Sequence, residues 1–187
     1  HGARTVDVNT VQALRSAVSD AQDGDVIRVA DGTYELDSFL GLYGKRNVML
    51  IGASGDPEKV VLKGRSWDVV DHQDDILRIG DSESITVAHL TFAECHAYGI
   101  KVEAEKFPRD IHIFNCRFFN IATRAIKGST SQTGVAVGGS IRFCRFENSK
   151  IPASDWQFDG NYISAIDMMA LEDWTIADNT FLNIRGA

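Results

Sequence analysis

The sequence predicts an all-β fold, a right-handed parallel β-helix with an amino-terminal capping helix. Three observations predict it: an alternating strand ending in phenylalanine recurs along the chain, asparagine follows it at a fixed position, and a second short strand follows each recurrence. The recurring segments are residues 85–92, 111–118, 139–146 and 174–181. Their unequal spacing suits a solenoid, because insertions between coils extend outward and leave the stacked core intact.

Two residues after each aligned phenylalanine stands Glu94, Asn120, Asn148 or Asn183. Asparagine tolerates the left-handed backbone conformation of a tight bend, and stacked amides can hydrogen-bond from coil to coil. The recurrence therefore predicts a ladder of polar side chains at one corner of the solenoid.

The second strand of each coil alternates apolar, polar, apolar, which sends its middle residue outward. These short strands are residues 77–79, 100–102, 126–128 and 166–168. Their outward residues are Arg78, Lys101, Lys127 and Asp167 on consecutive coils. Residues 48–52 and 60–64 resemble an earlier coil, and the total is about five coils.

The amino-terminal end carries the signature of a cap. Apolar residues fall at helical spacing after two residues that could cap a helix. They are Val11, Leu14, Val18 and Ala21, after Asn9 and Thr10. A helix here would cover an open sheet edge.

We expect one domain over residues 1–187, with the cap and first strand in 1–34 and the coils in 35–187. The last rung stops before its second strand. We therefore expect an incomplete carboxyl end, covered by a further region of the protein or by an additional chain.

Composition excludes several classes of function. The chain has 187 residues, 44% of them hydrophobic and 24% charged, with a formal net charge of −7. An acidic chain is a poor match for nucleic acid, whose binding depends on clustered lysine and arginine. No apolar run is long enough to span a membrane. The three cysteines, Cys95, Cys116 and Cys144, are too sparse for a disulfide scaffold and are expected to be buried free thiols.

The opening segment Gly-Asp-Val-Ile-Arg-Val-Ala-Asp-Gly-Thr-Tyr at residues 24–34, followed by Ile-x-Ile-x-x-x-x-Phe-x-Asn rungs, resembles the pectate-lyase-like β-helix superfamily. The opening is similar to that of the chondroitinase B and alginate lyase group. This resemblance lies in scaffold motifs and implies a secreted or periplasmic protein that binds or cleaves an acidic polysaccharide. Such lyases eliminate across a uronic acid ring, with a cation or arginine neutralising the carboxylate and a base removing the adjacent proton.

The outward cations supply the candidate catalytic residues. Stacked about 4.8 Å apart, Arg78, Lys101 and Lys127 would repel one another, and a polyanion would relieve that repulsion. The competing interpretation is a solvated face of mixed charges. Under the functional hypothesis, Lys127 or Lys101 is the base and Arg78 or Arg124 neutralises the carboxylate.

The loop leading to Arg78 suggests a cofactor. It carries Asp71, Asp74 and Asp75, and calcium favours several carboxylate oxygens on a flexible loop. Aspartate is also common in turns for its own backbone hydrogen bonds. Calcium is the cofactor that this loop would hold.

Two long loops supply candidate sugar-binding residues. One carries Trp67, and the other carries Asp155, Trp156 and Asp159; Asp167 joins them from the strand that follows. Aromatic rings beside carboxylates bind sugars by stacking and hydrogen bonding. The competing interpretation is that the rings pack the loops onto the solenoid.

Acidic-polysaccharide cleavage by β-elimination is therefore the function that the sequence favours. One alternative is glycoside hydrolysis on the same fold, since paired carboxylates also cleave glycosidic bonds. Another is a non-catalytic β-helix that serves in binding or assembly.

Overall fold

The computed structural model describes residues 4–68, 74–129, 133–150 and 162–184. Its elements in chain order are β1 (Thr5–Val8), α1 (Val11–Ser19), β2 (Val26–Val29), β3 (Gly32–Glu35), β4 (Leu40–Tyr43), β5 (Met49–Gly52), β6 (Val60–Lys63), β7 (Leu77–Gly80), β8 (Glu83–Ala88), β9 (Thr91–Cys95), β10 (Tyr98–Val102), β11 (Arg109–Phe114), β12 (Arg117–Ile121), β13 (Arg124–Gly128), β14 (Ala136–Arg142), β15 (Arg145–Glu147), β16 (Ser164–Met168), β17 (Leu171–Ala177) and β18 (Thr180–Leu182). Two short 3₁₀ helices lie at Pro57–Lys59 and Ala104–Lys106.

Within the described residues the strands form three sheets, and every neighbouring pair is parallel. Sheet A has the order β1-β2-β5-β8-β11-β14-β17, sheet B the order β3-β6-β9-β12-β15-β18, and sheet C the order β4-β7-β10-β13-β16. The chain visits A, B and C in turn, so β2-β3-β4 is one coil and β14-β15-β16 is the fifth. The predicted right-handed parallel β-helix is confirmed.

Stacked phenylalanines lie beneath sheet B, where Phe92, Phe118 and Phe146 are buried in the core and Phe181, 51% exposed, ends the column. Phe92, Phe118, Phe146 and Phe181 lie with ring centroids 5.2, 4.9 and 5.1 Å apart and interplanar angles of 11° or less. Inward residues repeat from coil to coil, because strand alternation and coil register place identical positions one above another. The aligned phenylalanines of the sequence are therefore a continuous column of rings.

The polar corner after sheet B matches the predicted ladder in part. Glu94, Asn120 and Asn183 have positive φ angles of 48°, 54° and 55°. The Asn120 amide donates to Oε1 of Glu94 at 2.7 Å, which joins two coils. Asn148 departs from the pattern, since its side-chain oxygen accepts from the backbone N–H of Ile121 at 3.2 Å.

The predicted capping helix is present as α1. Its N-cap is Thr10, whose hydroxyl accepts from the N–H of Ala13 at 3.1 Å. Leu14 and Val18 are buried in the core, and the helix packs against β1, β2 and β4. It thus covers β4, the first strand of sheet C. Among the described helices, none is long and apolar enough to cross a membrane.

Buried free thiols are also as predicted. Cys95, Cys116 and Cys144 are free and buried. Burial raises the pKa of the Cys95 and Cys116 thiols well above the usual value. These side chains therefore serve as small apolar residues of the core.

Candidate functional site

The outward positions of sheet C form one column across the coils. Backbone pairing places Gly41 beside Arg78, Arg78 beside Lys101, Lys101 beside Lys127, and Lys127 beside Asp167. The register predicted from the sequence is therefore correct. Three cations occupy consecutive coils, with a glycine before them and an aspartate after them.

At one end of the column Arg78 is held by two carboxylates. Its Nε donates to Oδ2 of Asp75 at 2.6 Å, and its Nη1 lies 4.0 Å from Oε1 of Glu103. Glu103 also pairs with Lys106. The guanidinium lies 4.0 Å from the centroid of the Phe39 ring, and only 14% of the side chain is exposed. Arg78 is thus neutralised from within the protein.

At the other end two cations share one carboxylate. Nζ of Lys127 lies 2.7 Å from Oδ2 of Asp167, and Nε of Arg124 lies 3.4 Å from the same oxygen. The Tyr162 hydroxyl donates to that oxygen too. Exposure of the Arg124, Lys127 and Asp167 side chains is 9%, 12% and 11%. This end therefore carries an excess of positive charge in a largely buried setting.

Lys101 lies between these two ends. No carboxylate oxygen of the described residues comes within 4.0 Å of its ammonium group, whereas Arg78 and Lys127 on either side are both paired. Its Nζ lies 5.9 Å from the centroid of the Tyr98 ring. Among the described residues, Lys101 is thus the cation of the column that has no paired carboxylate.

We call this group the sheet C cluster. Its cations are Arg78, Lys101, Lys106, Arg124 and Lys127, its carboxylates are Asp75, Glu103, Glu105 and Asp167, and its phenols are Tyr98 and Tyr162. Within this set five cations face four carboxylates. The local excess of positive charge contrasts with the net charge of −7 on the whole chain.

Sequence reasoning missed the two phenols. Tyr98 pairs in register with Arg124, and Arg124 pairs with Ser164, so a second column of stacked residues runs beside the first. These residues stand three positions before members of the first column, where strict alternation would place them on the opposite face, so the sequence pattern did not reveal Tyr98. Tyr162 precedes β16 and reaches the cluster through its side chain, which contacts Asp167 and Arg124. Burial raises the pKa of Tyr98, and the hydrogen bond to Asp167 raises the pKa of Tyr162.

Asp75 is a buried carboxyl within the cluster. Its side chain is 1% exposed, and its Oδ1 has no hydrogen-bond partner among the described residues. Burial raises the pKa of Asp75 above its usual value, against the opposing effect of Arg78. Glu103, the other carboxylate beside Arg78, was also missed by sequence reasoning.

The two described aspartates of the predicted calcium loop have separate partners. Oδ2 of Asp74 accepts from the N–H of His96 at 2.8 Å, and its Oδ1 accepts from the N–H of Arg65 at 3.2 Å. Asp75 pairs with Arg78. The part of the chain that the structure describes contains no group of three metal-ligating side chains. Asp71 lies outside the described residues, and calcium binding here stays a prediction.

Of the predicted sugar-binding aromatics, Trp67 lies in a small apolar cluster. The side chain is 6% exposed and packs with Ala122 and Ile163, while its carbonyl lies 3.1 Å from Nδ1 of His96. These contacts hold its loop onto the solenoid. Asp167 belongs to the sheet C cluster. The remaining predicted residues, Asp155, Trp156 and Asp159, lie outside the described residues.

The fold defines a class, the parallel β-helix, and sheet C carries its candidate site. Comparison of the chain with protein-family models, with curated proteins and with solved structures finds no match. The chemistry of the site therefore rests on its own residues.

Proposed function

We propose that the outer face of sheet C binds an acidic polysaccharide and cleaves it by β-elimination. The observation that carries the proposal is the excess of cations over carboxylates in the sheet C cluster, with Lys101 at its centre unpaired among the described residues. A repeating anion matches a column of cations that repeats from coil to coil. The scaffold motifs support the same conclusion, through their resemblance to the pectate-lyase-like superfamily and its secreted or periplasmic members.

Carboxylate neutralisation is the first requirement of the reaction. A uronate carboxylate bound by a cation makes the adjacent C5–H more acidic, because the developing negative charge is stabilised. Arg124 and Lys127 suit this role, since together they carry two positive charges against the one carboxylate of Asp167. Arg78, which is already paired with Asp75, is the less suitable of the two predicted arginines.

Proton transfer is the second requirement. In the proposed reaction the Lys101 ammonium first releases a proton to solvent, and the neutral amine then takes the C5 proton. The electrons of that C–H bond form the C4–C5 double bond, and the bond from C4 to the glycosidic oxygen breaks. The Tyr98 hydroxyl donates a proton to the departing oxygen. Burial raises the pKa of Tyr98, which keeps its phenol protonated and able to donate. Proton transfer from the Lys101 ammonium to the Tyr98 phenolate, through solvent, restores both groups.

The test is incubation of the protein with alginate, pectate and chondroitin, with and without calcium, while the ultraviolet absorbance of unsaturated products is followed. We expect absorbance from one of these polymers. The Lys101→Ala variant should lower kcat by about 10²–10⁴-fold, the usual contribution of a general base. Lys59→Ala, which removes a lysine just before β6 in sheet B, is the matched control and should retain full activity.

Each other result of this test has a distinct meaning. Absence of absorbance with every polymer would exclude the lyase mechanism. Reducing ends formed without absorbance would indicate glycoside hydrolysis. Binding without any product would indicate a non-catalytic module that uses the same surface.

A further inference from the structure

A groove lies between α1 and β4, at the end of the column that begins with Gly41. Its volume is about 440 Å³, within the range of small-molecule sites. The lining residues are Arg15, Val18, Ser19, Phe39, Leu40, Gly41, Tyr43 and Lys45. Because Gly41 pairs in register with Arg78, the groove occupies the position one coil before the first cation of the column.

The floor of the groove depends on a glycine. A Cβ atom on Gly41 would lie 2.7 Å from Cε2 of Tyr43 and 3.7 Å from Cε2 of Phe39. The two rings therefore approach each other over bare backbone. Any larger residue here would displace Tyr43 and occupy the floor.

The walls of the groove are in contact with the sheet C cluster. The Arg78 guanidinium lies 4.0 Å from the Phe39 centroid, and Nζ of Lys106 lies 4.2 Å from the Tyr43 centroid. Aromatic walls beside polar groups are typical of sugar sites. Groove and cluster thus form one continuous surface along the solenoid axis.

The charge of the lining favours an anionic ligand. Among the described residues that line the groove there are two cations and no carboxylate. Lys45 donates to the carbonyls of Ser19 and Ala21 at 2.8 and 2.9 Å, so backbone dipoles and not a carboxylate hold its charge. Arg15 donates to Asp37 at 2.6 Å and to the Ser38 carbonyl at 2.8 Å. Because the Asp37 side chain is 89% exposed, this ion pair contributes little free energy and a bound anion can compete with it.

We infer that this groove is a subsite for one negatively charged sugar of the polysaccharide that the sheet C cluster binds, with Arg15 and Lys45 facing its carboxylate or sulfate. The inference rests on the proposed function. A chain bound along Lys127, Lys101 and Arg78 would continue into the groove at Gly41. The subsite would therefore act only on ligands long enough to extend beyond Arg78.

The experiment measures binding of alginate, pectate and chondroitin oligosaccharides, from disaccharide to octasaccharide, by titration calorimetry. The double variant Arg15→Ala, Lys45→Ala is compared with Arg28→Ala, Lys59→Ala, a matched control in which Arg28 pairs with the exposed Asp7 of sheet A. Circular dichroism and thermal melting of each variant establish that it is folded. Because loss of the Lys45 contacts could weaken α1, the single variant Arg15→Gln is measured as well.

We expect the double variant Arg15→Ala, Lys45→Ala, called the groove variant, to bind long oligosaccharides with a dissociation constant at least about tenfold higher than that of the wild type. For the shortest oligosaccharide that binds, the two dissociation constants should agree within about twofold. Arg15→Gln should show the same dependence on length with a smaller loss. Equal affinities of groove variant, control and wild type at every length would overturn the inference and leave the proposed function standing. Absence of binding by the wild type to any oligosaccharide would overturn both.

Discussion

At the scale of single residues, the site is defined by which charges are paired. Arg78 and Lys127 are held by carboxylates of their own protein, and Lys101 between them has no paired carboxylate among the described residues. Asp167 is the residue that makes this arrangement stable at its other end, since it accepts from Lys127 and Tyr162 at once. Its removal would leave Lys127 and Arg124 close together without a counter-charge.

We expect Asp167→Asn to lower the free energy of unfolding at neutral pH by about 1–3 kcal/mol, the usual value for hydrogen bonds to a charged group. Burial opposes ionisation of Asp167, but the hydrogen bonds from Lys127 and Tyr162 prevail and hold its pKa below the ordinary value of 3.8. Its contribution is therefore present above pH 3.8 and is lost as the pH falls through the folded-state pKa. Denaturant unfolding at a series of pH values measures the effect.

The difference in the free energy of unfolding between the wild type and Asp167→Asn should therefore become smaller in acid. Asp178→Asn is the control, because Asp178 pairs with Arg142 on an exposed surface, with both side chains nearly half exposed. That change should cost less than about 1 kcal/mol at neutral pH. Equal decreases in the free energy of unfolding for the two variants would contradict the role of Asp167 as the counter-charge of Lys127 and Arg124.

At the scale of elements, the strands are held in register by identical side chains stacked between coils. The ring of Phe118 lies between Phe92 and Phe146, with centroids 5.2 and 4.9 Å away. This column stands behind sheet B and supports β12, from which the chain continues to β13 and the candidate site. The geometry of the sheet C cluster thus depends on packing in the core.

Phe118→Ala should lower the free energy of unfolding by about 3–5 kcal/mol, because a cavity would replace a fully buried ring. Phe114→Ala is the matched control, since the Phe114 side chain is 41% exposed. This change should lower the free energy of unfolding by less than about 1 kcal/mol. Chemical denaturation monitored by circular dichroism gives both values. A loss for Phe118→Ala no greater than the control's would mean that the rings are not packed as described.

At the scale of the whole molecule, each coil contacts chiefly its neighbours, and a middle coil has neighbours on both sides. Strands β9, β10, β12 and β13 lie within such coils. By contrast β18 is an edge strand whose residues are all exposed. In a solenoid, stability is close to a sum of local and nearest-neighbour contributions.

In a chain of residues 1–187, amide hydrogen exchange followed by mass spectrometry should therefore be slowest in β10 and β12 and fastest in β18. Local opening requires the loss of two coil interfaces in the middle of the solenoid but only one at an edge. Uniform protection from β2 to β18 would contradict this expectation and indicate a single cooperative unit.

The sequence by itself determined the coils and the column. The alternation of apolar and polar residues decides which side chains face the core, and the recurrence of the strand pattern decides which residues stack. For this reason the sequence alone aligns four outward positions, which are Arg78, Lys101, Lys127 and Asp167. Both signals are local or repetitive, and for that reason a single sequence contains them.

Only the tertiary structure decided which charges are free. The pairing of Arg78 with Asp75, the sharing of Asp167, and the burial of Trp67 depend on distances and side-chain directions between coils, which spacing along the chain does not give. The groove over Gly41 depends likewise on the packing of α1 against β4. The order of cations along sheet C was therefore set by the repeat, whereas the pairing of Arg78, Arg124 and Lys127 with carboxylates was set by their three-dimensional neighbours.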